Sequence, residues 1–338
     1  MKLENTLRKH SKRAVAIALK KSGAIEKRLE KGGVIILMFH KINDGHDPQG
    51  LTISPLIFDR VLSELKERAD VVSVESLFDS NGDLIVDDKV KFAITFDDGY
   101  RDNYEKAFPI LKKHNVPATI YLSYGHIMGE RTFWYERVMS ALQNSAKLTI
   151  ELDDLGFENF SLKTQTDLEL AIDEIISWLK SFTDQERMNK CDDIIQRLEV
   201  APDQIDVSPM LSWDMVEEMK QDLIHFGSHT LTHPILSREN KETIEREVVG
   251  SKKVIEEKLG QEVTGFAYPN GEIGDYNDTA LEFAAVTYQH SCTTIPGINY
   301  AGQDPYQLKR INIDPKMCTN DKGAFLPALF WAKVSRLI

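Results

Sequence analysis

The 338-residue sequence has no long apolar run, few cysteines and no excess of positive charge, and each absence closes off a class of function. A membrane-spanning helix needs about 20 consecutive apolar residues, and no stretch approaches that length. Cys191, Cys292 and Cys318 are widely spaced, odd in number and without a CxxC pair, so nothing requires a disulfide framework or an oxidising compartment. The formal net charge of −12 argues against a nucleic-acid partner, because phosphate binding needs a basic surface. Internal repeats and low-complexity tracts are missing as well. What is there is ordinary globular composition, 42% hydrophobic and 28% charged, and enough chain for one large core or two modest ones.

The charge is unevenly spread. Residues 1–31 carry ten Lys/Arg against three Glu, which leaves −19 on the remainder. Within this segment only six apolar residues, AVAIAL, precede two lysines, whereas a secretory apolar region usually runs about 7–15 residues. A cleavable signal peptide is therefore not expected, and the expected place of action is the cytoplasm, the inner membrane face included. Residues 1–32 read as a basic amphipathic helix. It either docks on the body in solvent or lies on an anionic membrane face. Residues 321–338, apolar and basic, read as a C-terminal helix open to the same two interpretations.

Between these ends, short apolar strands alternate with amphipathic helices. "GVIILMFH" (33–40) is continuous and rich in β-branched residues, as a buried strand is. "PLIFDRVLSELKERA" (55–69) places Ile57, Leu62, Leu65 and Ala69 at helical spacing. "KFAITF" (91–96), "PATIYLS" (117–123), "LIHFGSH" (223–229) and "VTGFAYP" (263–269) read as further strands. Pro109 predicts a kink or break in its helix, and residues 237–260 read as one long helix. From about 130 to 208 the rhythm gives way to polar, mostly helical sequence, which reads as an insertion. Strands alternating with helices imply a parallel sheet, open or closed into a barrel.

Three strand ends carry chemistry. "TFDDGY" sets Asp97 and Asp98 side by side after an apolar strand, where neighbouring acids repel and pay for desolvation. Taken alone, Asp followed by Gly is also plain turn chemistry. "FGSHTLTHP" (226–234) holds His229 and His233 four apart, a common zinc-ligand spacing. Thr230 stands where a HExxH protease has its glutamate, so that reading fails. Two imidazoles and one carboxylate make a three-ligand set that leaves a metal position open. The other aspartate is then free to act as a general base, and a cation relieves the repulsion between the acids. "FAYPNG" (266–271) is the third strand end; in parallel barrels catalytic residues gather at such ends.

"TFDDGY", "SHTLTH" and "FAYPNG", in this order, resemble the first three motifs of the polysaccharide deacetylases, the NodB-homology family of carbohydrate esterases. "ILMFHKI" and "CTTIPGIN" with "DPYQLKRINI" are similar to a bacterial branch found with surface-polysaccharide genes. The resemblance covers roughly residues 33–314. It implies an α/β fold, a distorted (β/α)7-type barrel (33–320) with a mostly helical insertion at about 130–208. It also implies one divalent metal ion, usually Zn2+, and removal of N-acetyl groups from an amino sugar in a poly- or oligosaccharide or its precursor.

Carried over by resemblance, Asp97 is the general base, and Asp98, His229 and His233 are the metal ligands. Thr95, Gly99 and Ser228 frame the motifs, and a backbone N–H near Tyr268, Pro269 and Asn270 is the oxyanion donor. Two positions depart from the family pattern. Ala267 stands where an arginine often orients the base, and Arg310 stands where a histidine often protonates the leaving amine. Arginine cannot be a general acid at ordinary pH, so Arg310 is a candidate for the missing orienting charge and His40 a candidate proton donor. His290 and His225 read as structural. Trp134 and Tyr135 either stack on a sugar or anchor the insertion, and Trp213 reads as a staple beside a Ser212 or Asp214 cap. The competing readings are a carbohydrate-binding protein of this fold without turnover, and an amidohydrolase acting on a non-sugar amide.

Overall fold

The computed structural model describes residues 2–45, 47–152, 154, 157 and 159–338, with side chains from Ser11 onward. Eight parallel strands build the centre: β1 (Val34–Phe39), β2 (Asp70–Val71), β3 (Lys91–Phe96), β4 (Ala118–Leu122), β5 (Ile224–Ser228), β6 (Gly265–Ala267), β7 (His290–Cys292) and β8 (Arg310–Asn312). Their spatial order is β7-β6-β5-β4-β3-β1-β8, with the short β2 paired to the start of β3. Between β7 and β8 the gap narrows further. Cys292 bridges Leu308 in parallel, and the Leu308 N–H donates to the Ser291 carbonyl at 3.0 Å. The result is a nearly closed barrel of seven main strands surrounded by helices.

Alternation along the strands separates two apolar layers, because successive side chains point to opposite faces. Val34, Ile36, Ala93, Tyr121, Ala267 and Cys292 fill the barrel interior as one buried cluster. Ile35, Leu37, Phe39, Phe92, Ile94 and Phe96 face outward onto the helices. The interior admits Tyr121 because β5 offers Gly227, where a Cβ would lie 2.4 Å from the tyrosine ring. Helix Pro55–Arg68 packs outside, capped by Ser54, whose hydroxyl accepts from the Ile57 N–H at 3.3 Å.

Two helices carry π-helical turns. The stretch around Pro109 forms a π turn at Asn103–Ala107 and then helix Phe108–His114, with the proline in its first turn. The helix expected over 237–260 is instead Lys241–Glu245, a π turn Arg246–Gly250 and Ser251–Leu259. The extra residue in that turn brings Glu247 inward, where it serves the site described below.

The stretch expected as a mostly helical insertion, about 130–208, lies between β4 and β5. Its helices Trp134–Asn144, Gln165–Leu179 and Asp184–Arg197 have a core of their own, with Ile172, Ile175, Leu179, Cys191 and Ile194 buried. Tyr100, Phe133, Trp134 and Tyr135 belong to the same cluster and join it to the barrel. At the chain ends, helix Lys2–Lys21 packs against helix Pro327–Val334, which covers the outer face of β3 through Trp331 on Phe92. The C-terminal helix is thus shorter than the 321–338 segment expected. No described helix is long and apolar enough to cross a membrane.

Candidate active site

The site forms where β1, β3, β5, β6 and β8 end. At the end of β3, Asp98 (φ 75°) and Gly99 (φ 85°) both adopt left-handed backbone, which a non-glycine residue takes only at a cost. This sharp turn sends the two aspartates to different partners.

Asp97 meets Arg310 from β8. Nη1 and Nη2 of the arginine donate to its two carboxylate oxygens at 2.7 and 2.6 Å, a forked pair with both residues buried. The guanidinium is itself held, with Nε donating to the Thr293 carbonyl at 2.8 Å and Nη1 to Thr95 Oγ1 at 3.3 Å. Burial pushes the Asp97 carboxyl up, but Arg310 and then His229 outweigh it and hold the group at about 2.

Asp98 turns toward the histidines. Its Oδ1 stands 3.5 Å from Nε2 of His229 and 3.4 Å from Nε2 of His233. That oxygen is buried and has no hydrogen-bond partner among the described residues. Nδ1 of His229 lies 2.7 Å from the Ala267 carbonyl. A carbonyl only accepts, so Nδ1 carries the proton and Nε2 presents a lone pair. Burial lowers both imidazoles below their ordinary value, His233 furthest, which keeps them neutral and able to ligate. Burial, followed by the Asp97 charge, pushes the Asp98 carboxyl up to about 8. A divalent cation reverses that last shift. The three donor atoms lie within 4.8 Å of one another.

The loop carrying the histidines is over-determined. Thr230 (φ 67°) and His233 (φ 58°) are both left-handed, and Thr230 Oγ1 accepts from the His233 N–H at 2.9 Å. Glu247, brought in by the π turn, accepts from the N–H groups of Leu231 and Thr232 at 2.9 and 2.8 Å. Tyr135 at the start of the insertion donates to Oδ2 of Asp98 at 3.2 Å, and its hydroxyl lies 2.6 Å from that of Tyr100. Neither Tyr135 nor Glu247 was assigned this role from sequence. Glu247 left no signal there, and Tyr100 was visible only as the last letter of its motif.

These groups open into a cavity of about 280 Å³ that also takes in His40, Trp134, Asn270 and, from the insertion, Lys180. His40 follows β1, its carbonyl accepting from Asn103 Nδ2 at 2.7 Å. Its buried Nδ1 is unpartnered among the described residues, and burial holds its pKa down to about 4. The backbone donor expected near Tyr268, Pro269 and Asn270 narrows to one of the three. The Tyr268 N–H donates to the Cys292 carbonyl at 3.1 Å, its hydroxyl to the Tyr306 carbonyl, and proline has no N–H. Strand pairing thus spends the Tyr268 N–H, and of the three it is Asn270 (φ 59°) that lines the cavity, which leaves its N–H as the one placed to serve.

Other residues singled out by sequence fall elsewhere. Trp134 lines the cavity while Arg187 sits over its ring at 5.3 Å, so it joins insertion and site. His290 is buried against Phe78, and His225 is exposed 3.7 Å from Glu75. Ser212 caps its helix by accepting from the Met215 N–H.

Comparison with known proteins agrees with this geometry. A model of the polysaccharide deacetylase family matches residues 86–289, more than half of the chain. YxkH of Bacillus subtilis (strain 168), whose name places it in the same family, is 24% identical over 330 residues, spanning 95% of this chain and 87% of that protein. Among solved structures, Streptococcus pyogenes deacetylase PplD in complex with acetate is 26% identical, with a TM-score of 0.55 over 84% of this chain and 94% of its own. IcaB from Ammonifex degensii shares the fold at 17% identity, with a TM-score of 0.57 over 90% of this chain and 96% of its own. With a matching family model laid over the three strand ends that carry the site, the chain belongs to the polysaccharide deacetylase family.

Proposed function

We propose that this chain is a divalent-metal-dependent hydrolase that removes N-acetyl groups from an amino sugar in a poly- or oligosaccharide or its precursor. One observation carries the reading: a buried carboxylate oxygen with no hydrogen-bond partner faces two imidazole nitrogens, beside a second, arginine-held carboxylate. Asp98, His229 and His233 fit a divalent cation, and two nitrogens with one oxygen suit zinc. When bound, the cation supplies Lewis-acid polarisation of the acetamide carbonyl. The acetate held by the Streptococcus pyogenes neighbour is the small product that such a hydrolysis releases.

The chain's own groups do the rest. Asp97, ionised and fixed by Arg310, takes a proton from the water whose oxygen bonds to the carbonyl carbon. As the C–N bond breaks, the sugar nitrogen needs that proton back. His40 is neutral at rest because burial holds it at about 4, so the proton returns from Asp97, directly or by way of His40. Buried Trp134 forms part of the cavity wall beside these groups.

Acetate release from N-acetylated oligosaccharides, measured with and without a chelator, tests the proposal. Asp97→Asn is expected to keep stoichiometric metal and lose about 10²–10⁴ in turnover, whereas His229→Ala is expected to lose the metal. Near-normal turnover by Asp97→Asn would remove the base from the mechanism. Bound metal with no acetate from any saccharide would favour the binding protein instead.

A further inference from the structure

The two chain ends, some three hundred residues apart in sequence, meet in the fold. Helix Lys2–Lys21 packs along helix Pro327–Val334, and Arg13 forks onto the Asp321 carboxylate with two bonds of 2.8 Å. Together, residues 1–31 and 315–338 carry fourteen Lys/Arg against four Asp/Glu, while residues 32–314 carry a net −22. Folding therefore gathers the positive charge of an acidic protein into one module. A cavity of about 290 Å³ at the junction is lined by Lys12, Arg13, Lys316 and Lys333, and among the described residues the acid on its wall is Asp321, held by Arg13. Burial lowers the Lys333 ammonium below its ordinary value; Asp314 works against that fall, and Lys12 and Arg13 add to it.

The first helix is also apolar on more sides than its packing uses. Its middle, Ala14–Leu19 in the sequence KR-AVAIAL-KK, is apolar all round, the pattern of a helix covered on every side. Ala16 is fully buried and Leu19 packs on the core. Val15 and Ile17 are 46% and 51% exposed, with Ala14 and Ala18 exposed beside them. Basic pairs bound this belt at each end, an arrangement that lets lysine stems lie along apolar surface while their heads reach charge. A second copy of the chain is the poorer occupant. Two aliphatic side chains and two alanines fall far short of the roughly 1,200 Å² of a stable protein interface, whereas a shallow amphipathic helix needs little area when basic charge assists it.

We infer that the paired chain ends are a docking surface for an anionic lipid bilayer, with Val15 and Ile17 entering the headgroup–acyl boundary and the surrounding lysines meeting lipid phosphates. This inference stands apart from the catalytic reading. The full-length protein is tested by co-sedimentation with vesicles of phosphatidylcholine alone and of phosphatidylcholine with phosphatidylglycerol, at low and high salt. Binding is expected to the anionic vesicles only and to weaken with salt. Val15→Glu with Ile17→Glu should abolish it. Lys20→Gln with Lys21→Gln should weaken it about 10- to 30-fold. Circular dichroism, thermal melting and acetate release from a soluble substrate should be unchanged in both variants. Equal binding to neutral vesicles, or anionic binding untouched by either variant, would overturn the inference. So would a dimer in sedimentation velocity that disappears in the Val15/Ile17 variant without any lipid. Free inorganic phosphate that competes fully at millimolar concentration would assign the lysines to a soluble anion and also overturn it.

Discussion

At the scale of single residues, the pair Asp97–Arg310 governs how the site tolerates pH. The aspartate sits at about 2 in the folded chain, against about 3.9 in an unfolded one. A depressed carboxylate contributes stability above its unfolded value and loses it as pH falls through the folded one. The wild-type pair therefore holds until the pH nears 2. Arg310→Gln leaves a buried aspartate whose remaining dominant influence is desolvation, which pushes its pKa upward. The variant is expected to lose about 3–5 kcal/mol, as when one partner of a buried pair is removed, seen as a fall in the thermal midpoint. Its kcat/KM should also fall off on the acid side at higher pH than in wild type. An unchanged acid limb would mean that Arg310 does not set the charge of the base. The same pair shows a limit of sequence reading. Asp97 and Arg310 are 213 residues apart, and the arginine could be suspected only because Ala267 left the usual orienting charge unsupplied.

At the scale of elements, the strand ends and the helical character of about 130–208 were legible, whereas the contacts that this helical stretch makes with the site were not. Apolar runs such as Lys91–Phe96 announce buried strands, and the residues just after them are contiguous in sequence, so the acids and histidines could be read directly. The π turns were hidden because Arg246–Gly250 keeps a helical apolar pattern; only the buried Glu247, bonded to the loop at Leu231 and Thr232, betrays the extra residue. Which N–H near Tyr268, Pro269 and Asn270 stays available was hidden for a related reason, since the bond from Tyr268 to the Cys292 carbonyl depends on a neighbouring strand. The insertion matters chemically through Tyr135, which bonds Oδ2 of Asp98 and so leaves Oδ1 facing the histidines. Tyr135→Phe removes that bond with little change of volume. Outer-shell partners of metal ligands typically contribute 10–100-fold in affinity, and a loss in that range is expected when zinc binding is titrated by competition with a chelator. An affinity within twofold of wild type would reduce the tyrosine to packing.

At the scale of the whole molecule, a cation held as proposed would tie separate parts of the barrel together, because Asp98, His229 and His233 sit on two strand ends and lean on a third. Asp98 follows β3, His229 and His233 follow β5, and the His229 imidazole bonds the end of β6 at Ala267. Without a cation, three neutral or protonated groups crowd one buried point and Asp98 Oδ1 has no hydrogen bond. A cation that binds only the folded state stabilises it by mass action, about 2.7 kcal/mol at a hundredfold excess over Kd. At roughly 2.1 cal/mol/K of unfolding entropy per residue, a chain of 338 residues converts that to about 4 °C in Tm. Chelation should therefore lower the melting temperature by a few degrees, and zinc should restore it. His229→Ala should melt at the same temperature with or without chelator, because its ligand set is broken before the chelator is added. If the variant still shifted with zinc, the stabilising ion would lie away from Asp98 and the histidines, and the strand-end geometry would lose its claim to the metal.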